Sequence, residues 1–437
     1  MRREIHYKMW RLAGPIIISN ISVPMLGAVD TAVMGHLPDA KYLGGVAVGA
    51  LVFTFIYWGF GFLRMGTGGL TAQAFGAEDA DEIRACLARA AVIGIPVALI
   101  LIILQEPIAW AAFSIVEATT EVELLAEEYF YNRIWGAPAT LMNFALLGWF
   151  IGVQNTKAAL WHQLILNGVN IVLDLVFVIG FGWGVAGVAA ATAMADVAAV
   201  AFGLWLALPI LRRLGGAFVR EKILEGEKIR RTVALNIDIF IRTICLVFAF
   251  AYFTAQGAAF GNVVLATNAV LLNFQTFMAH ALDGFAHAAE AMGGRAIGAR
   301  DRDAFREAVR VSMLWGTIVA IGFSLFYLMG GIAVVDLLTG IDDVRDAARE
   351  YISWSVVMPL IAVFPFILDG VYLGATRGRT MRNAMIASLV TYLVACVFFV
   401  PAWGNHGLWA SLLIFMGARG ITLGLRYPAL QRSVGAA

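Results

Sequence analysis

The sequence predicts an all-α integral membrane protein whose twelve transmembrane helices form two pseudo-symmetric six-helix bundles. Three observations carry this. Of its 437 residues, 61% are hydrophobic and only 14% charged, where soluble proteins carry roughly 25% charged residues, so lipid is the only solvent able to accept the outer surface. Apolar runs of the length that a bilayer requires, about 20 residues, recur along the whole chain. The second half also restates the first at a fixed offset.

The N-terminal stretch is basic, with Arg2, Arg3, Lys8 and Arg11, and the apolar run behind it continues past Pro15 to Asp30. No small-residue cleavage site interrupts it, so it reads as a retained first span and not as a signal peptide. The first six spans fall at 9–34, 43–74, 84–104, 126–152, 160–181 and 184–211. The second six fall at 231–255, 259–292, 307–335, 349–374, 382–400 and 407–427. An N-terminal bundle (1–212) and a C-terminal bundle (231–437) are therefore joined by a charged linker, 213–230, expected to act as the hinge.

Basic residues set the direction. Lys157, the linker run from Arg212 to Arg231, the group Arg300, Arg302 and Arg306, and the group Arg377, Arg379 and Arg382 all fall on the side of the N-terminus. The opposite side carries Lys41, the acidic stretch 117–128 and a mixed segment in which Arg345 and Arg349 answer Asp342, Asp343, Asp346 and Glu350. The positive-inside rule makes both termini and the linker cytoplasmic, in an inner membrane.

The repeat is read from 74–84 (AFGAEDADEIR), which aligns without gaps on 296–306 (AIGARDRDAFR), 222 residues later. At the same offset Gly148 and Gly152 fall on Gly370 and Gly374, Lys157 on Arg379, and Gly182 on Gly404. Each copy holds an even number of spans, so both enter the membrane with the same orientation, related by an axis along the membrane normal. Two such bundles around a cleft suit alternating access.

An ionisable side chain inside a span costs several kcal/mol and is by default a functional candidate. Asp30 lies deep in the first span, with no basic residue within two helical turns. A carboxyl group withheld from water is in the setting where proton exchange near neutral pH occurs. Asn170 and Asp174 are four apart on the fifth span, and Thr192 and Asp196 on the sixth, so each pair shares a helix face. With Asp30 they can build one oxygen-lined pocket, although interhelical hydrogen bonding accounts equally for Asn170 and Thr192. In the second half, Asp238 and Arg242 have the spacing of an intrahelical ion pair, while Asp283, Glu290 and Asp369 either line a cleft or satisfy Arg242 and Arg64.

Several classes fall away. The formal charge is +1 with no basic stripe, which excludes a nucleic-acid partner. Cys86, Cys245 and Cys396 lie in apolar segments without paired or metal-ligand spacing, and the six His residues show no metal pattern. No phosphate loop and no Ser/His/Asp set is present, so an enzyme is not expected, no cofactor is implied, and an ion gradient must supply the energy.

Three segments, 62–73 (FLRMGTGGLTAQ), 282–290 (LDGFAHAAE) and 368–376 (LDGVYLGAT), resemble the multidrug and toxic compound extrusion (MATE) transporters, specifically the DinF-like branch. The resemblance runs over nearly the whole chain. It implies the MATE fold, a V-shaped cleft, and efflux of small, often cationic organic compounds by a monomer in exchange for H⁺ or Na⁺. It implies that the first-helix acid, here Asp30, binds the coupling ion, that Pro15 marks the bend of that helix, and that Asn170, Asp174 and Thr192 complete the site. Leu175 stands where many relatives have Pro, and a seventh-helix Glu found in one branch has no counterpart unless Asp238 replaces it. These departures favour proton coupling through the N-terminal bundle. The rivals are Na⁺ bound at Asp30, Asn170, Asp174 and Thr192, a lipid-precursor flippase of the same superfamily, and a membrane-embedded enzyme acting on lipids.

Overall fold

The computed structural model describes residues 2–35, 39–115 and 119–435, complete except for the side chains of 2, 23–32, 35 and 40. Its elements are α1 (Arg2–Gly35), α2 (Ala40–Phe60), α3 (Phe62–Gly76), α4 (Ala80–Ile103), α5 (Gln105–Phe113), α6 (Thr120–Arg133), α7 (Ala137–Gly152), α8 (Thr156–Asp174) and α9 (Gly184–Leu214). There follow α10 (Arg220–Ile223), α11 (Gly226–Ala259), α12 (Asn262–Gly298), α13 (Arg302–Leu338), α14 (Asp342–Gly374), α15 (Gly378–Trp403) and α16 (Asn405–Ser433). Among the described residues, 11 helical runs are long and apolar enough to cross a bilayer, and the 34-residue α1 precedes them. Large apolar side chains such as Leu328, Met329, Phe398 and Leu425 stay exposed on their outer faces, as a lipid solvent permits.

Two predicted spans are built from two helices each. The second breaks at Gly61 into α2 and α3, and the fourth passes through a 3₁₀ turn, Ile134–Gly136, between α6 and α7. The fifth ends in a π-helical turn, Leu175–Gly180, directly after Asp174. Such turns leave an intrahelical hydrogen bond out of register and often accompany functional sites.

The repeat is written in the backbone. Glu78 and Arg300, 222 residues apart, both take a left-handed conformation (φ 56° and 57°), as do Gln154 and Thr376 (φ 60° and 52°). Behind the first pair, Asp79 and Asp301 cap α4 and α13 by accepting from the amides of Glu82 and Ala304, each at 2.9 Å. The glycines at 148 and 152 bring α7 against α3, where an added Cβ at Gly148 would collide with the carbonyl of Arg64. Gly370 and Gly374 do the same for α14 against α12, where a Cβ would meet the carbonyls of Ala286 and Glu290. Both are Gly-x-x-x-Gly seams, the spacing that lets membrane helices approach backbone to backbone.

The contacts divide the chain into two units. One holds Ile18–Ala234, and its core gathers Trp149, Phe150, Leu146, Ile83 and Leu211. The other holds Met1–Ile17 with Leu235–Ala437, around Phe253, Phe274, Tyr327, Tyr392, Trp409 and Phe415. This grouping differs from the boundary drawn in the sequence, which gives 1–212 to the first bundle. The start of α1 packs into the second unit: Trp10 meets Phe285 and Trp315 edge to face at 5.3 and 5.2 Å, and the Trp315 indole donates to His6 Nδ1 at 3.0 Å. Two residues after Pro15, α1 passes into the first unit, where Asn167 on α8 donates to Ser22 Oγ at 2.8 Å.

The charged linker is bonded to α4 and its cap. Arg84, the last residue of the repeat motif, donates to the carbonyls of Leu211 and Gly215 at 2.6 and 2.8 Å, and Arg89, 2% exposed, donates to that of Lys222 at 2.8 Å. Lys222 and Lys228 return to Asp79 and Glu82 at 3.0 and 2.9 Å. In the second half the matching Arg306 donates twice to the Gln431 side-chain oxygen, at 2.6 and 2.9 Å. One motif thus holds the end of the sixth helix of each half.

Candidate functional site

In the first unit, Asn170 and Asp174 are buried at 1% and 0% exposure on the last two turns of α8. Asn170 Nδ2 donates to Thr192 Oγ1 on α9 at 3.4 Å, and Thr192 in turn donates to the carbonyl of Val188 at 2.9 Å. The Asn170 side-chain oxygen has no hydrogen-bond partner, which is costly for a buried acceptor. Asn170 and Thr192 are therefore joined across α8 and α9, and Asp174 lies one turn on from Asn170 along α8. Asp30 lies on the helical backbone of α1, but its side chain is outside the described residues, and so is any contact it makes. Pro15, inside α1, removes the hydrogen bond that the carbonyl of Arg11 would otherwise receive.

Asp196 does not join this group, although its spacing from Thr192 suggested that it would. It accepts from Arg133 and Thr140 at 2.6 Å each and from Asn143 at 3.0 Å, while His162 Nε2 donates to the Asn143 oxygen at 3.0 Å. The reason is charge: a guanidinium on α6 with about 95% of its surface covered needs a carboxylate, and Asp196 supplies it.

The second unit corrects the other pairing. Asp238 and Arg242 are not bonded to each other. Asp238 is held by Arg382 at 2.5 Å, and Arg242 donates to Asp369 on α14, which also accepts from Arg419 on α16 at 2.7 Å. Asp369 thus has two guanidiniums, each less than 10% exposed. Glu290 sits beside His287 at 3.3 Å, and Asp283 acts on Arg419 through space. A further polar knot joins Asn268, Asn405 and Trp409 at 2.8–3.0 Å. Arg133, Arg419, Asn143 and Asn268 were not singled out from sequence. A count of arginines inside spans would have found the first two, since each buried cation demands an acid. Among the described residues no set of three or more His, Cys, Asp or Glu side chains is placed to hold a metal ion.

The comparisons with known proteins agree with this architecture. The MatE family profile matches residues 15–176 and 239–398, one match in each half. The DNA damage-inducible protein F of Escherichia coli (strain K12) is 40% identical over 415 residues, covering 95% of this chain and 90% of that protein. A probable multidrug resistance protein NorM from Idiomarina loihiensis is 22% identical over 97% of this chain and 94% of its own. Among solved structures, the Vibrio cholerae MATE transporter VcmN in its bent form superposes with a TM-score of 0.85 at 17% identity, covering 99% of this chain and 98% of that one. A MOP superfamily transporter from Pyrococcus furiosus gives 0.85 at 19% identity, over 99% and 97%. The chain therefore belongs to the MatE family: it is a multi-pass membrane transporter of the multidrug and toxic compound extrusion class, not an enzyme.

Proposed function

We propose that the protein exports small organic, often cationic compounds from the cytoplasm across the inner membrane, in exchange for protons taken up at Asp30 with Asn170, Asp174 and Thr192. The observation that carries this reading is the fate of the other intramembrane acids. Asp196, Asp238 and Asp369 are each spent on an arginine, so their charge is already balanced within the bundle. In the first unit the α1, α8 and α9 set adds a buried side-chain oxygen with no donor on it, that of Asn170, and this is where we place the coupling ion. The first and fifth spans run in the same direction, Ser22 is bonded to Asn167, and Asp30 follows Ser22 by eight residues as Asp174 follows Asn167 by seven. At about 1.5 Å rise per residue, the two acids come to the same depth.

Protonation from outside neutralises the set, removes the reason for α1 to stay straight, and allows it to bend at Pro15, where it passes from one unit to the other. Substrate held by the cleft is then released, and deprotonation follows on the cytoplasmic side. A charge crossing the whole field gains about 2.3 kcal/mol per 100 mV, enough to bias a two-state equilibrium tens-fold.

A second reading is Na⁺ in place of H⁺. The unpartnered oxygen of Asn170, the Thr192 hydroxyl and the carboxylate of Asp174 are hard oxygen donors of the type that such a cation takes. Purified protein in liposomes, loaded with a dye substrate and given a pH gradient or a Na⁺ gradient separately, decides between them. Export under the pH gradient alone is expected, and export that requires the Na⁺ gradient would refute proton coupling.

A further inference from the structure

The charged groups at the foot of α1 play no part in that coupling scheme. Within the second unit, a cavity of about 380 Å³ opens between the start of α1, the end of α12 and the start of α13. Lys8 and Arg295 line it together with Glu4, Asp301 and Glu307, and Met292 and a set of alanines supply the apolar part of the wall.

Lys8 is half-buried there, and its ammonium is pushed down to about 8, by burial first and then by the like charges of Arg295 and Arg11. A cation in that position is relieved by an incoming anion. The carboxylates give the same cavity the opposite polarity: Asp301 uses one oxygen to cap α13 through the Ala304 amide at 2.9 Å, and Glu4 and Glu307 share the lining with it. A simple anion satisfies the cations and is repelled by the acids, and a simple cation has the reverse problem. A ligand carrying both charges satisfies both.

We propose that this cavity binds a phosphate ester bearing a primary ammonium, the chemistry of a phosphatidylethanolamine headgroup, with the phosphate on Lys8 and Arg295 and the ammonium among Glu4, Asp301 and Glu307. The position suits a lipid, because the cavity lies at helix ends on the side that the positive-inside rule makes cytoplasmic. Free phosphoethanolamine has the same polar chemistry. Occupancy stabilises the segment of α1 before Pro15 against the second unit, and this holds whichever ion drives transport. Since phosphate favours the charged form of Lys8, affinity falls as pH rises through about 8.

The test uses the full-length protein in detergent, titrated with short-chain phosphatidylethanolamine, phosphatidylcholine, phosphatidylglycerol or free phosphoethanolamine, with the ligand-induced rise in Tm read alongside retained lipid by native mass spectrometry. Phosphatidylethanolamine is expected to bind about tenfold more tightly than the other two lipids, the weight of one charge-assisted contact. Lys8→Gln should weaken it by a similar factor, and Glu307→Gln should remove the preference for ethanolamine over choline while leaving phosphate binding in place. Because Lys8→Gln relieves repulsion, the variant should fold, and the ligand-induced increment rather than the starting Tm is compared. A saturable shift with free phosphoethanolamine identifies a soluble ligand for the site, and a shift with the lipid alone identifies the membrane. Equal responses to all three lipids, or an unchanged phosphatidylethanolamine response in both variants, would overturn the proposal.

Discussion

Asp369 shows how charge is settled inside this protein. It lies between Arg242 and Arg419, all three less than 10% exposed, and removing one member leaves an uncompensated buried charge, which costs about 3–5 kcal/mol. Asp369→Asn is therefore expected to lower thermal stability by that order, seen as a large fall in Tm, whereas Asp283→Asn, half-buried beside the same cluster, should be far milder. A Tm unchanged by Asp369→Asn would show that the two arginines are satisfied elsewhere. The sequence identifies Asp238, Arg242 and Asp369 as intramembrane charges and offers Arg242 two partners, Asp238 by helical spacing and Asp369 across helices, of which the structure takes the second. An i,i+4 pair is worth a few tenths of a kcal/mol, so it yields to a partner 127 residues away that relieves a buried guanidinium. Spacing along one helix carries no information about the facing helix, and for that reason the partners Arg382 and Arg419 could not be read. Asn170, Asp174 and Thr192 stand out in the sequence as polar residues spaced on two adjacent apolar spans, and of the three the structure bonds Asn170 to Thr192.

Helices meet in this fold where glycine permits it. At Gly148 and Gly370 a methyl group would run into the backbone carbonyls of Arg64 and Ala286, and backbone cannot rotate aside as a side chain does. Gly148→Ala and Gly370→Ala should each destabilise by about 1–3 kcal/mol, whereas Gly168→Ala, with open space around its Cβ position, should be neutral; thermal melts of the three variants check the order. The repeat was legible at this scale because glycines, caps and left-handed turns are fixed by backbone geometry, which both halves retain. The π-helical turn at Leu175–Gly180 was not. Its residues are uniformly apolar, and a buried segment without polar punctuation gives no periodicity from which to tell a wider turn from a regular one. The linker's anchoring was not legible for a related reason: its charges are the residue types expected of a solvated segment, and only the fold reveals that Asp79, Asp81 and Glu82 at the start of α4 take its lysines and that Arg89 donates to the carbonyl of Lys222.

Across the whole molecule, two helices belong to both units: α1 enters with the second and leaves with the first, and α11 crosses back after Ala234. The two halves share left-handed turns, helix caps and glycine seams but not their chemistry. At the offset of the repeat, Asp174 falls on Cys396, Asn170 on Tyr392 and Thr192 on Ile414, so the oxygen-lined set exists once. A transporter built this way should couple through one bundle only. Disrupting Asn170, by Asn170→Leu, is expected to reduce gradient-driven export at least tenfold while the protein remains folded and inserted, and residual export near the parental rate would locate the coupling elsewhere. The sharpest comparison is export of a dye substrate from proteoliposomes under an imposed pH gradient by the parental protein and by Asp30→Asn. Loss of gradient-driven export in the variant, with substrate binding retained, is the predicted result; export at the parental rate would contradict proton coupling through α1.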